Sequence, residues 1–281
     1  GLAAGDRVVV VATHDTRIVP LADIVIQLTP TAAPTPARPE QTPVRLGPGA
    51  VLLEQGTVED LMYVVTDGEV EISMNQFGAM AYHYLHEVKG KRGMVAKTVA
   101  SSNLANAIAT SLGEQVFEPK VGFKEFKPVI DQALVCFEES DGITVIGHTP
   151  EKDAFIGLVL ALDMMLTLKK PLGAYLKEIE DRYGHYYPEK DGVTVSQQGE
   201  ALLAALDGLK RYDTGAVIRV GGEDKAIKEV IAIDGRKMIL EDNSWIMIRP
   251  SGTEPVVRVY AEASTIELRD ELLEAGTDLA H

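Results

Sequence analysis

Arg249, Ser251, Gly252, Thr253 and Arg258 crowd into one short stretch of the chain, and each is a residue type that suits a phosphate. An arginine presents a planar fork of donors matching two phosphate oxygens. The hydroxyls of Ser251 and Thr253 add donors, and a glycine lets a backbone N–H approach an anion closely. Arg258 lies on the opposite face of its segment from Val257 and Val259, so it can share the side that the loop occupies. A charge-assisted hydrogen bond contributes about 1.5–3 kcal/mol net, so two or three of them make a useful anion site of modest strength. An ordinary Pro/Ser/Gly turn beside a structural arginine would have the same composition.

Two strands must hold that loop. Trp245, Met247 and Arg249 alternate with Ile246 and Ile248, and Val256 to Tyr260 alternates in the same way with β-branched residues, the period of a half-buried strand. Further strands are expected near Ala216–Val220, Ala226–Ile233 and Met238–Glu241, with helices at Gly199–Leu209 and Glu267–Ala275. Upstream the pattern differs. Helices at Gln76–Glu87, Ser102–Leu112, Asp153–Leu168 and Leu172–Tyr183 alternate with strands at Gly93–Val99 and Ala133–Phe137, which predicts an α/β layered domain before an antiparallel α+β domain. Met164, Met165, Leu166 and Leu168 are expected in the core.

The run Arg249-Pro250-Ser251-Gly252-Thr253-Glu254-Pro255, with Arg258-Val259-Tyr260 after it, resembles the C-terminal phosphate-binding loop of the α-D-phosphohexomutases, the family of phosphoglucomutases and phosphomannomutases. A second segment agrees. Phe137-Glu138-Glu139-Ser140-Asp141-Gly142, then His148-Thr149-Pro150-Glu151-Lys152-Asp153, is similar to the family's sugar-binding loop and the helix start that follows. The resemblance implies that Glu138 and Ser140 bind sugar hydroxyls; a carboxylate can accept from two neighbouring hydroxyls and a serine can give or take. Taken alone, this loop reads as a solvated acidic turn, and Phe137 stands where the family usually has glycine. Val121-Gly122-Phe123-Lys124 is similar to the loop in which a lysine reaches the substrate, which implies that role for Lys124, with Lys120 and Lys127 as nearby alternatives.

The resemblance spans roughly residues 75–281. It opens at Met74-Asn75-Gln76-Phe77-Gly78-Ala79-Met80 and implies an α/β/α third domain over 75–190 and the C-terminal domain over 191–281. Family enzymes also carry a phosphoserine loop and an Asp-x-Asp-x-Asp-Arg metal loop in two earlier domains. Neither is seen in this sequence. Glu59 and Asp60 are adjacent on an extended chain and point to opposite faces, so they do not converge on one ion. Moving a phosphoryl group between the ends of a hexose needs a phosphorylated donor and a cation. The expectation is therefore a hexose-phosphate-binding half, inactive alone, with no catalytic residue and no cofactor of its own; Mg²⁺ belongs only to a complete family enzyme. A separate N-terminal mutase half is a candidate partner. His83, His86, His148 and His185 do not group with acids at metal-ligand spacing and are expected at the surface or at helix ends. Cys136 is expected to be small and buried.

Residues before 75 have a different character and are expected to form a short β-rich segment. Val8–Ala12, ended by Thr13-His14-Asp15, and Leu21–Leu28 resemble the last strands of an ABC-transporter ATPase over residues 1–29, in which His14 would approach the nucleotide's terminal phosphate. No Gly-x-x-x-x-Gly-Lys-Ser/Thr loop accompanies it, so a nucleotide has no cradle. Pro30, Pro34, Pro36, Pro39 and Pro43 mark a linker over 30–43. Residues 44–74 resemble the first strands of a cyclic-nucleotide-binding β-roll and stop before its phosphate cassette. These likenesses leave a regulatory or sensor module as the alternative function. Lysine is absent before Lys89, where four arginines supply the basic charge, and all fifteen lysines lie from Lys89 onward. Such asymmetry is expected of a chimera joined near residues 67–75, and the opening at Gly1 of a fragment or processed chain.

The 281 residues are 46% hydrophobic, with a net charge of −15, enough for two domains and a small third. That charge argues against nucleic-acid and anionic-membrane partners, because neither is attracted over long range. A single cysteine excludes an intrachain disulfide framework and suits a reducing compartment. No run reaches membrane-spanning length and no basic leader opens the chain, so the cytoplasm is the expected location.

Overall fold

The computed structural model describes residues 72–194, 207–251 and 256–280. The ABC-like, proline-rich and cyclic-nucleotide-like segments up to residue 71, with His14, lie outside the described residues. So do most of the helix expected at Gly199–Leu209 and the site candidates Gly252 and Thr253.

Ser73 caps the first helix. Its hydroxyl accepts from the Gln76 N–H at 3.4 Å while Gln76 Oε1 accepts from the Ser73 N–H at 3.0 Å, the reciprocal box that Ser-x-x-Gln encodes. Helix α1 thus runs Met74–His83, starting before the expected Gln76, and continues as a π-helical turn over Tyr84–Val88. Three more helices follow, α2 (Leu104–Leu112), α3 (Ala154–Leu168, capped by Asp153) and α4 (Leu172–Tyr183). On α3 Met164 is buried and Met165 and Leu168 are half-buried, but Leu166, expected in the core, is exposed on the outer side of the helix.

These helices pack on a four-stranded sheet of β1 (Val95–Lys97), β2 (Val116–Phe117), β3 (Val135–Phe137) and β4 (Ile143–Val145), in the order β2-β1-β3-β4. β1 runs parallel to β2 and β3, while β4 returns antiparallel along β3. Pleating divides β3 between two cores. Val135 and Phe137 join the helices, whereas Cys136 joins Phe123, Phe126 and Ile130 around the 3-10 helix Phe123–Phe126 on the other face. Strands covered on both faces read as continuous apolar runs, so the sequence overestimates their length. β1 and β3 are each shorter than the apolar run that predicts them.

The second layer is a six-stranded antiparallel sheet in the order β5-β10-β9-β8-β7-β6. Its strands are β5 (Tyr187–Thr194), β6 (Val217–Val220), β7 (Glu223–Ile231), β8 (Arg236–Leu240), β9 (Trp245–Pro250) and β10 (Val256–Ala263). β5 has no apolar alternation and was not expected; as an edge strand it carries Pro188 and three charged residues, which such positions tolerate. Helix α5 (Ile266–Ala280) brings Leu272 and Ala275 to a core with Ile246, Ile248, Val257, Val259 and Ala261. The opposite face of β9 and β10 presents Trp245, Met247 and Tyr260 to Val99 and Ala100.

Polar groups stitch that contact. Lys237 Nζ donates to the Val99 carbonyl at 2.8 Å and lies 4.0 Å above the Trp245 ring. Glu262, buried, accepts from the Asn103 N–H at 3.0 Å and from Trp245 Nε1 at 2.9 Å.

Candidate anion and sugar site

Strand register decides where the two arginines go. Arg249 on β9 is paired directly with Arg258 on β10, and residues opposite one another in an antiparallel ladder project from the same face. Met247–Tyr260 and Trp245–Glu262 are the next pairs on that face, the one that meets Val99 and Ala100. Like charges directly opposite cost about 0.2–1 kcal/mol, and Asp234 beside Arg249 offsets part of that cost. On the other side of β10, Gly192 of β5 faces Arg258. A Cβ there would lie 3.2 Å from Arg258 Nη1, so glycine leaves room for the guanidinium.

Arg249 is largely buried. Its Nε lies 3.0 Å from Asp234 Oδ2, yet the N–H direction misses that oxygen, and Nε has no hydrogen-bond partner in the geometric sense. The contact is therefore an ion pair without an aligned bond. Burial acts to lower the Arg249 pKa, but Asp234 and the Tyr260 hydroxyl outweigh it and raise the value above the ordinary one. Asp234 reaches this place through Gly235, whose φ of +70° is left-handed and where a Cβ would sit 2.3 Å from the Ile248 carbonyl. Only glycine fits that turn. Asp234 Oδ2 also accepts from the Val121 N–H at 3.0 Å. Ser251, the last described residue of the loop, donates its N–H to the Val256 carbonyl at 2.9 Å and so closes the loop across its base.

The sugar-loop candidates form the turn of the β3–β4 hairpin. The Glu138 N–H donates to the Gly142 carbonyl at 2.9 Å, and Asp141 takes φ +71°. Glu138 is buried and accepts from the Gly122 N–H at 2.9 Å. Burial first, and the neighbouring Glu139 second, push its pKa up to about 7 against the pull of Gly122 and Lys152. Ser140 is exposed. Glu139 accepts from the Thr98 hydroxyl at 2.8 Å, and it helps burial push Tyr260 up to about 12, with Arg249 and Arg258 acting in the opposite sense. The hairpin turn, Tyr260 and the two arginines thus share one electrostatic neighbourhood.

Lys124 is exposed in the 3-10 helix that begins just after Gly122. Lys120 is also exposed and lies 3.7 Å from Glu125, and Lys127 is exposed. Asp234, Tyr260 and Glu139 were not singled out from sequence. Tyr260 was reachable, since it lies two residues from Arg258 on one strand face; Asp234 was not, because its approach to Arg249 depends on hairpin register.

Two histidines stand in the last turns of the first helix and of its π-helical continuation, as expected of helix-end residues, and both are buried. His83 is buried, with Nδ1 2.7 Å from the Tyr175 hydroxyl, and burial lowers its pKa to about 4. His86 is buried between Glu87 and Glu114, at 3.0 and 3.2 Å. His83 finds its partner on α4, while His86 reaches both its sequence neighbour Glu87 and the more distant Glu114. Cys136 is buried and burial raises its thiol to about 12. Among the described residues, no three His, Cys, Asp or Glu side chains gather to hold a metal ion. No helix among them is long and apolar enough to cross a membrane.

Residues 73–183 match the family model for the phosphoglucomutase/phosphomannomutase alpha/beta/alpha domain III, and residues 194–276 match that for the C-terminal domain. The chain belongs to this family, the α-D-phosphohexomutases. A phosphoglucomutase/phosphomannomutase of Thermococcus kodakarensis is 28% identical over 240 residues, 83% of this chain and 47% of its own length. A phosphopentomutase of the same organism is 30% identical over 198 residues, 68% of this chain and 39% of its own. Among solved structures, a Thermus thermophilus protein assigned as a phosphomannomutase superposes with a TM-score of 0.58 at 26% identity, over 74% of this chain and 40% of that one. The chain therefore spans about half the length of the curated mutases it matches. A different likeness is local: an uncharacterized ABC transporter ATP-binding protein of Mycobacterium tuberculosis is 59% identical over 71 residues, 25% of this chain and 21% of that protein.

Proposed function

We propose that residues 73–276 are the substrate-holding half of a sugar-phosphate mutase and bind a hexose phosphate. The observation that carries this reading is the direct pairing of Arg249 with Arg258, two cations placed side by side on one buried sheet face. The phosphate sits on Arg249, Arg258, Ser251 and, by family likeness, Gly252 and Thr253. Glu138 and Ser140 receive the sugar hydroxyls, and Lys124 approaches from the 3-10 helix. The phosphopentomutase relative makes a pentose phosphate the competing ligand.

These residues hold a substrate but supply neither a phosphorylated donor nor a cation for the transferring group, both of which phosphoryl transfer needs. The chain alone is inactive in this reading, and a polypeptide carrying the other mutase domains completes it. Calorimetry with glucose 6-phosphate is the test. Saturable heat is expected, with Arg249→Ala weakening binding at least tenfold, the size of one lost charge-assisted bond. Absent heat, or heat indifferent to Arg249→Ala, sinks the proposal, and mutase turnover by the chain alone sinks the inactive-half reading.

A sensor built on the N-terminal part is the second reading, favoured by the 59% identity to an ABC ATP-binding protein. Equilibrium dialysis with labelled ATP and cAMP separates the two. No binding is expected without a phosphate-cradling Gly-x-x-x-x-Gly-Lys-Ser/Thr loop.

A further inference from the structure

One carboxylate oxygen serves two distant segments. Asp234 Oδ2 accepts from the Val121 N–H at 3.0 Å and stands 3.0 Å from Arg249 Nε. The two contacts differ in kind. The Val121 bond is a hydrogen bond, which fastens the carboxylate to the segment before the 3-10 helix. The Arg249 contact is an ion pair whose N–H is not aimed at the oxygen and remains without a hydrogen-bond partner. Aligned charged hydrogen bonds are the strong ones, and a misaligned one is readily exchanged for a better acceptor.

We propose that Asp234 is a resting counter-ion for Arg249, a positioning residue that neutralises the buried guanidinium and yields it to the phosphate of an incoming ligand. This rests on the reading of Arg249 as a phosphate ligand. Arg249 is largely buried, and Asp234 supplies its compensating charge while no anion is bound. Val121 and the Gly235 turn keep Asp234 in place, so Arg249 is the group that changes partner. Once phosphate arrives, the retained carboxylate opposes it. Asp234 thus sets a ceiling on affinity, which suits a site that must release a phosphorylated sugar.

The test is calorimetric titration of the full chain with inorganic phosphate. Asp234→Asn keeps an acceptor for Val121 and removes the charge, so affinity is expected to rise roughly three- to tenfold, the scale of one partly screened charge contact. In an Arg249→Ala background the gain is expected to vanish, which ties it to that pair. Mere structural damage weakens binding and does not produce a gain. Should the asparagine chain fail to fold, Asp234→Ser must move affinity in the same direction. Unchanged or weaker binding by the Asp234 variants, with wild-type binding still dependent on Arg249, overturns the counter-ion role and leaves the phosphate reading standing. Binding by Asp234→Asn but not by the wild type supports it in its strongest form. Silence from both overturns this inference and the phosphate reading together.

Discussion

Glu138 shows how burial sets the chemistry of a single carboxyl. At the surface it would ionise near 4.5, but burial, with Glu139 beside it, raises it to about 7. A raised carboxyl keeps its proton in the folded chain after the unfolded chain has lost its own. Its contribution to stability is complete below about pH 4.5 and is lost as pH rises through about 7, a swing of about 3 kcal/mol. Glu138→Gln is expected to flatten this part of the pH–stability curve, read by urea unfolding at pH 5 and pH 8. A variant as pH-dependent as the wild type across that window would place the titration elsewhere. The sign also bears on binding. The ionised form, the stronger hydrogen-bond acceptor, is reached only as pH passes about 7.

At the scale of elements, the Glu138–Gly142 loop is a hairpin turn, and the strand leading into it is fitted to a neighbouring helix. The Phe137 ring is fully buried against Gly78 of α1, where a Cβ would stand 2.4 Å from the ring. A small residue on the helix accommodates a large one on the strand. Gly78→Ala is expected to lower stability by about 1–3 kcal/mol through overpacking, and Phe137→Leu in that background to restore part of it, as contacting sites couple. Additive losses in thermal unfolding of the double variant would refute the pairing. The same elements mark how far the sequence could be read. The apolar and β-branched residues of Trp245–Arg249 and Val256–Tyr260 foretold β9 and β10, although β9 is buried on both faces rather than half-buried as its pattern suggested. β4 was missed because three residues are too few for a period, and β5 because an edge strand needs no apolar face. The acid partner of Arg249 was missed for a related reason. Asp234 meets it through pairing register, which a linear pattern does not contain, whereas Tyr260 could be placed from its spacing to Arg258.

At the scale of the whole chain, the two layers meet across a polar seam that costs stability. Lys237 is fully enclosed, and burial, helped by the charge of Lys97, lowers its pKa to about 7 from an ordinary 10.5, while Glu118 and Glu262 act against the shift. The unfolded chain holds this proton up to about pH 10.5 and the folded chain only to about 7. Stability therefore rises with pH across that interval, and the cost of the buried cation is complete below about pH 7. The amine still bonds the Val99 carbonyl and covers Trp245, which positions the arginine-bearing face against the first layer. Replacing buried charge by an apolar side chain of similar length often stabilises by about 1–4 kcal/mol. Lys237→Met is accordingly expected to stabilise the chain in urea unfolding at pH 6, with the advantage shrinking by pH 10. If the methionine variant were less stable at pH 6, the bond to Val99 and the contact with Trp245 would outweigh desolvation, and the lysine would be a clamp between layers rather than a concession to positioning them.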